Sequence, residues 1–316
     1  MQQDRMTAYL APQGFVEQVA AELAGVQAVH GRLVIAQGPP QTSYWAQNTW
    51  LEPQTLRIQS IADGARALRA IQRNWAMYSF SWHRRSTLIQ DKLPYVSARP
   101  LGFPGLAPEA PLGSWTLLAP DILLAAPKCS SAFPHGEVRF VECKQGPPSR
   151  AYLKLWEVFT LIRRMPKPGE SCLDAGASPG GWTWVLHQLG ARVLAVDRTA
   201  PAPEIMRLPG VTYRRANAFS IRPEQDGPFN WIFWDVACYP EKLYQWLGLW
   251  LNSGKCCNFV CTLKFQGNCS YEAINAFAAL PHTTLLHLSH NKHELTWIRL
   301  AENPERCEDH KFKSFS

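Results

Sequence analysis

Apolar positions in the second half of the chain switch regularly between two periods. SCLDAG, ARVLAVD, VTYRRA, FNWIFWDV and CNFVCTLKF are short runs of strand length. Interleaved with them, SRAYLKLWEVFTLI, GGWTWVLHQLG, EKLYQWLGLWL and SYEAINAFAAL carry the three-to-four-residue spacing of amphipathic helices. Strands alternating with helices predict an α/β fold with a Rossmann-like, doubly wound and mostly parallel sheet. TTLLHLSH and ELTWIRL follow, separated by a short polar turn, which predicts an antiparallel final strand. This pattern assigns residues 149–301 to one domain and 302–316 to a polar tail.

The first half is less regular. TAYLAP and GRLVIAQ read as strands, GFVEQVAAELAG and IADGARALRAIQRNW as helices. Strand, helix, strand and helix over residues 1–80 predict a smaller α/β domain of the ferredoxin-like or THUMP-like kind. Prolines then accumulate (RPLGFPGLAPEAPLG), and WTLLAPDILLAAP reads as one strand broken by Pro120. Residues 81–148 are therefore expected to be a connector or reduced second lobe.

Composition narrows the class. Apolar residues at 46% of 316 support a sizeable core and exclude a disordered chain. No apolar run reaches membrane-spanning length and the N-terminus lacks an apolar leader, so a cytoplasmic protein is expected. Nine cysteines, mostly among apolar neighbours, behave as small hydrophobes in a reducing compartment. CNFVC has the alternation of a strand rather than a zinc knuckle, and His290 and His293 read as turn residues, so no metal is expected. The net charge of +7 favours a polyanionic partner. Arg139, Lys144, Arg150, Lys154, Arg163, Arg164 and Lys167 stand against only Glu142 and Glu157, an excess suited to phosphate contacts. Most of the thirteen tryptophans read as core residues; Trp45, Trp50, Trp75 and Trp82 are the better candidates for stacking on bases, with core packing the favoured reading for them too.

The first chemical signal is LDAGASPGGW, Leu173 to Trp182. A strand ends at Asp174, the chain turns through Gly176, and Ser178, Pro179, Gly180, Gly181 and Trp182 lead into a helix. Glycines there permit close backbone approach to a ligand, and the helix start offers free amides. Asp197 ends the next strand, where an acid is suited to ribose hydroxyls. The spacing of a dinucleotide or phosphate loop is absent. An adenosine cofactor without pyrophosphate fits better, which points to S-adenosyl-L-methionine.

The second signal is four charges at element ends: Lys154 on the helix before the first strand, Asp235 after NWIFW, Lys264 closing FVCTLK and Glu294 opening ELTWIRL. Methylation of a ribose 2′-hydroxyl needs a base to remove its proton as oxygen attacks the sulfonium methyl. A lysine serves if its pKa is lowered, which burial and a neighbouring ammonium favour, while Asp235 and Glu294 orient the amines.

These motifs together resemble the FtsJ/RrmJ-like ribose 2′-O-methyltransferases, over residues 147–300 and including Phe219, Arg222 and Pro223 of a shared FxxRP. The resemblance implies that Lys154, Asp235, Lys264 and Glu294 form a catalytic tetrad with Lys264 as the base. It also implies that Gly176, Ser178–Gly181, Trp182, Asp197, Asn217 and Asp235 hold the cofactor. In the most similar members the acceptor is a cytidine ribose of 23S ribosomal RNA, so large-subunit rRNA is the implied partner. Asn217, Ser178 and Ala151 depart from the aspartate, cysteine and serine of those members. Two alternatives stay open: a methyltransferase fold that has lost activity and only binds RNA, and a methyltransferase acting on a base nitrogen or small molecule. Asp-Val-Ala-Cys at 235–238 lacks the Asn/Asp-Pro-Pro-aromatic pattern common in base-nitrogen enzymes.

Overall fold

Ala8, Tyr9 and Leu10 are fully buried within a strand of five residues, β1 (Met6–Leu10), because it lies inside its sheet with a partner along each edge. The structure is a computed structural model describing residues 5–267 and 269–301, so the tail expected at 302–316 lies outside the described residues. It divides into two compact units, Met1–Val141 and Glu142–Ser316.

In the first unit α1 (Val16–Ala21) follows β1 and leads to β2 (Val26–His30) and β3 (Leu33–Gln37). β3 pairs antiparallel with both β1 and β2, so β1 and β2 run parallel on either side of it. This is the split β–α–β arrangement of a ferredoxin-like half. The strand β2 was not evident in the sequence, because it is an edge strand whose residues are largely exposed and carry no apolar alternation. β4 (Asn48–Leu51) extends the sheet by pairing with the other edge of β1.

The expected boundary at residue 80 does not follow the sheets. β5 (Gln54–Arg57), α2 (Ile61–Ile71), β6 (Trp75–Met77) and α3 (His83–Gln90) come next in the chain. β7 (Gly113–Ala119), β8 (Ile122–Ala126) and β9 (Lys128–Cys129) follow after the proline-rich stretch. β9 joins β4 in the first sheet, while β5, β8, β7 and β6 form a second one. WTLLAPDILLAAP is therefore an antiparallel hairpin and not a single strand. Pro120 offers no N–H to a ladder, so the chain reverses there. Trp75 and Trp115 pack with Leu68 of α2 and Ile89 of α3 in the core under this second sheet.

The second unit follows the sequence pattern closely. α4 (Tyr152–Ile162) precedes β10 (Ser171–Ala175), α5 (Gly181–Gln188), β11 (Arg192–Asp197), the short α6 (Pro203–Met206) and β12 (Val211–Arg215). A second half supplies α7 (Pro223–Asp226), β13 (Trp231–Trp234), α8 (Pro240–Ser253), β14 (Asn258–Lys264), α9 (Tyr271–Ala278), β15 (Thr283–Leu286) and β16 (Glu294–Arg299). The seven strands lie in the order β12-β11-β10-β13-β14-β16-β15. β10 through β14 pair in parallel, and β16 inserts antiparallel between β14 and β15. Seven residues separate β15 from β16, enough for a hairpin but too few for the crossover that a parallel partner needs.

All four residues of β13 are buried, as expected of a strand covered on both faces. Strand order reverses between β10 and β13, and the carboxyl ends of strands at such a reversal diverge to open a crevice. No helix among the described residues is long and apolar enough to cross a membrane.

Candidate functional site

The crevice begins where β10 ends. Asp174 is fully buried, and the Thr183 hydroxyl, one turn into α5, donates to its Oδ2 at 2.6 Å. Its Oδ1 is buried with no hydrogen-bond partner among the described residues. Burial pushes this carboxyl up from 3.8 to about 7, against the Thr183 hydrogen bond, which lowers it. Such a group is protonated in the folded chain at pH values where the unfolded chain ionises it. Its stabilising contribution is complete below the unfolded value and is lost as pH rises through the folded one. Asp174→Asn is accordingly expected to gain in melting temperature over the wild type from about pH 5 to about pH 8. Thermal melts across that range test this, and a constant difference would refute it.

Gly176 has φ +84°, and a Cβ there would lie 2.9 Å from the Asp235 carbonyl carbon and from Val236 N. The turn therefore presses against the end of β13 as only glycine allows. Gly180, at φ +117°, meets Ile205 of α6 in the same way, and Gly181 packs beneath Ser149 and Ala151. The Pro179 carbonyl accepts the Ala202 amide at 2.9 Å, which ties the turn to the segment entering α6.

Asp197, at the end of β11, uses both carboxylate oxygens on backbone amides. Oδ2 accepts Ser178 N–H at 3.1 Å and Oδ1 accepts Thr199 N–H at 2.9 Å. Asn217 caps the single turn Ala218–Ser220, its Oδ1 accepting Phe219 N–H at 3.2 Å. Trp182 stands behind the crevice and not in it. Its buried indole donates to the Ala151 carbonyl at 3.0 Å, holding α4 against α5.

The four charges converge although 140 positions separate Lys154 from Glu294. Asp235 follows β13, Lys264 closes β14, and the β14–β16 register sets Glu294 directly opposite Lys264. Lys264 Nζ lies 2.8 Å from Asp235 Oδ1 and also donates to the Asp235 carbonyl at 2.8 Å. Lys154 Nζ is 3.6 Å from Asp235 Oδ2 and pairs closely with Glu294 Oε1. The Thr262 hydroxyl, two residues before Lys264, donates to Asp235 Oδ1 at 2.7 Å. Nothing in the sequence singled out Thr262, and only the alternation of β14 places it on the Lys264 face.

The two lysines differ in their surroundings. Burial by itself would lower the Lys154 pKa, but Asp235 and Glu294 together outweigh it and raise the value above that of an ordinary lysine. Lys154 is thus held as an ammonium. Its side chain is 13% exposed against 27% for Lys264, and it is Lys264 that lines the open crevice.

Glu157, one helical turn beyond Lys154, is a functional position that its type alone did not reveal. Its buried carboxylate accepts Ser289 N–H at 2.7 Å, the Ser289 hydroxyl at 2.9 Å and His290 N–H at 3.1 Å. It also lies 2.5 Å from His290 Nδ1. The loop that delivers Glu294 is thereby clamped to the helix that carries Lys154. His290 is a turn residue, as the sequence indicated.

The crevice encloses about 500 Å³ and is lined by Gly176, Ser178, Asp197, Asn217, Asp235 and Lys264 together with Phe219, Tyr239, Lys242 and Gln266. The basic excess near α4 is partly structural. Arg164 donates to the Ala301 carbonyl at 2.7 Å and lies over the Trp231 ring, while Arg150 pairs with Glu142 at 2.6 Å. Trp45, Trp50 and Trp75 are buried, leaving Trp82, 46% exposed, as the one stacking candidate of the four. No group of three or more metal-ligating side chains occurs among the described residues.

Residues 147–274 match the FtsJ-like methyltransferase family. Among curated relatives, Ribosomal RNA large subunit methyltransferase M of Aromatoleum aromaticum is 31% identical over 235 residues, 67% of this chain and 61% of the relative. The protein of the same name from Halorhodospira halophila is 32% identical over 157 residues, 47% of this chain and 46% of its own. That of Methylococcus capsulatus is 31% identical over 188 residues, 57% and 52%. The chain thus spans between about half and three fifths of the length of these relatives. Among solved structures, TrmN from Thermus thermophilus covers 93% of this chain and 98% of its own at 13% identity, with a TM-score of 0.35, a likeness too slight to assign function.

Proposed function

From the FtsJ-like methyltransferase domain formed by residues 147–274, we propose that this chain transfers a methyl group from S-adenosyl-L-methionine to the 2′-hydroxyl of a ribose in RNA. The acceptor we propose is a cytidine of large-subunit (23S) ribosomal RNA, which the names of the relatives support at the level of the RNA. A cytoplasmic location follows from that substrate.

The observation that carries this reading is the position of the Lys264 amine. It faces the crevice while held at 2.8 Å by both the carboxylate and the carbonyl of Asp235. The residues of the crevice fit the cofactor. Gly176, pressed against the end of β13, lets the backbone turn tightly at the crevice wall, and Asp197 and Asn217 stand at the ends of the next two strands. Gly176 and Ser178 would border its methionine portion, Asp197 its ribose, and Asn217 with Phe219 its adenine. When bound, the cofactor supplies an electrophilic methyl on a positively charged sulfur.

The chain's own residues do the rest. Lys264, in its neutral form, accepts the 2′-hydroxyl proton on Nζ as the oxygen forms its bond to carbon and the carbon–sulfur bond breaks. Asp235 aims that amine. Lys154, held as an ammonium between Asp235 and Glu294, ties the two carboxylates together and keeps them in place. Glu157 holds the Glu294 loop against α4.

Incubation with tritiated S-adenosyl-L-methionine and undermethylated large-subunit rRNA tests the proposal. Label recovered as 2′-O-methylribose is the expected result. Label on a base, or RNA binding without any transfer, would overturn it in favour of one of the alternatives.

A further inference from the structure

The crevice extends past the residues that a cofactor and the tetrad would use. Beyond Asp235 and Lys264 its wall is made by Cys238, Tyr239, Lys242 and Gln266. Tyr239 stands out there, for the residue is 60% exposed although it belongs to the wall of a site. It is not a loop tip. Pro240, buried and first in α8, fixes the backbone immediately after it, so the ring projects from a rigid helix start.

Lys242 lies in the first turn of the same helix. Its Nζ sits 4.4 Å over the Phe219 ring, an aromatic face in place of a carboxylate, so among the described residues its charge is positioned without an ion-pair partner. An exposed aromatic face and a positioned ammonium, set beside the amine that faces the crevice, match the parts of one nucleotide. A base offers a π-face, a phosphate offers the anion, and the ribose lies between them.

We propose that Tyr239 is the stacking platform for the base of the acceptor nucleotide, with Lys242 on an adjoining phosphate, so that the ribose between them meets Lys264. The inference rests on the RNA methyl transfer proposed above. Every base has a π-face, so Tyr239 selects for an accessible base more than for its identity. The acceptor must leave its own stack, which restricts it to a loop, a bulge or a nucleotide swung out of a helix.

The test compares wild type, Tyr239→Ala and Tyr239→Phe for transfer of tritiated methyl to undermethylated large-subunit rRNA. Affinity for S-adenosylhomocysteine is measured on the same proteins by calorimetry. Loss of the ring is expected to lower kcat/KM for RNA by about 5- to 150-fold, and Tyr239→Phe, which keeps the ring, to recover most of that loss. S-adenosylhomocysteine affinity stays at the wild-type value in both. Lys242→Gln is expected to reduce the salt dependence of RNA binding by about one counterion. A Tyr239→Ala protein as active as wild type overturns this inference alone. A parallel fall in S-adenosylhomocysteine affinity also overturns it, since the ring would then serve the cofactor. Wild type that transfers nothing to RNA overturns the parent proposal, and this inference with it.

Discussion

Lys264→Ala is expected to lower methyl transfer by about 100- to 10,000-fold, the range a positioned general base supplies. The reason is chemical as well as spatial. Of the two lysines in the cluster, Lys264 lines the crevice, while Lys154 is held as an ammonium by two carboxylates. Lys264→Arg separates the base from a simple positive charge. Arginine keeps the charge and much of the reach but cannot give up its proton near neutral pH, so it cannot take one from a hydroxyl. If Lys264 is the base, arginine fails as completely as alanine. Activity restored by arginine would show that the residue only steadies charge. Single-turnover transfer to rRNA is the measurement, and unchanged S-adenosylhomocysteine affinity establishes that the crevice is intact.

Asp235→Asn is expected to cost stability as well as activity. In the wild type Asp235 takes Lys264 on one oxygen and Lys154 on the other, with Thr262 donating as well. Removing its charge leaves two largely buried ammonium groups to share Glu294, and breaking such a pair costs about 3–5 kcal/mol. For a protein of this size that is a fall of roughly 5–8 °C in melting temperature.

The pH dependence carries a sign. Lys154 has a raised pKa in the folded chain, so its contribution is complete below the ordinary lysine value of 10.5 and is lost as pH rises through the folded value. Without Asp235 the folded value falls, so that alkaline loss should become smaller and end at a lower pH. Denaturant titrations from neutral to alkaline pH measure both effects. The double variant Asp235→Asn with Lys154→Met removes the uncompensated charge along with its partner, and should recover much of the stability without recovering transfer. Equal stability of wild type and Asp235→Asn would mean that the cluster is solvated and its ion pairs weak.

Much of the second unit was legible in the chain itself. The parallel sheet follows from apolar runs such as WIFW alternating with amphipathic helices. The crevice follows from a glycine turn after the first strand and an acid after the second, since ligands gather at the carboxyl ends of parallel strands. Asp235 and Lys264 were legible for a related reason: a charge that ends a wholly apolar strand has to emerge at that same edge. These are short-range regularities, set by a period of two or of three to four residues and by the conformations that glycine permits.

Other features depended on contacts between distant residues, and no local pattern encodes them. WTLLAPDILLAAP has the composition of a single broken strand. Pro120 marks the break locally, but that the two halves pair with each other and take β6 and β5 along their outer edges is decided by tertiary contacts. Four tryptophans looked alike in sequence, and tertiary packing buried three and left Trp82 exposed. Glu157 is an unremarked helix acid until folding brings Ser289 and His290 to it across 132 and 133 positions. The two lysines were interchangeable as letters. Only the insertion of β16 beside β14, which sets Glu294 against Lys154, decided which amine is locked as a cation and which faces the crevice.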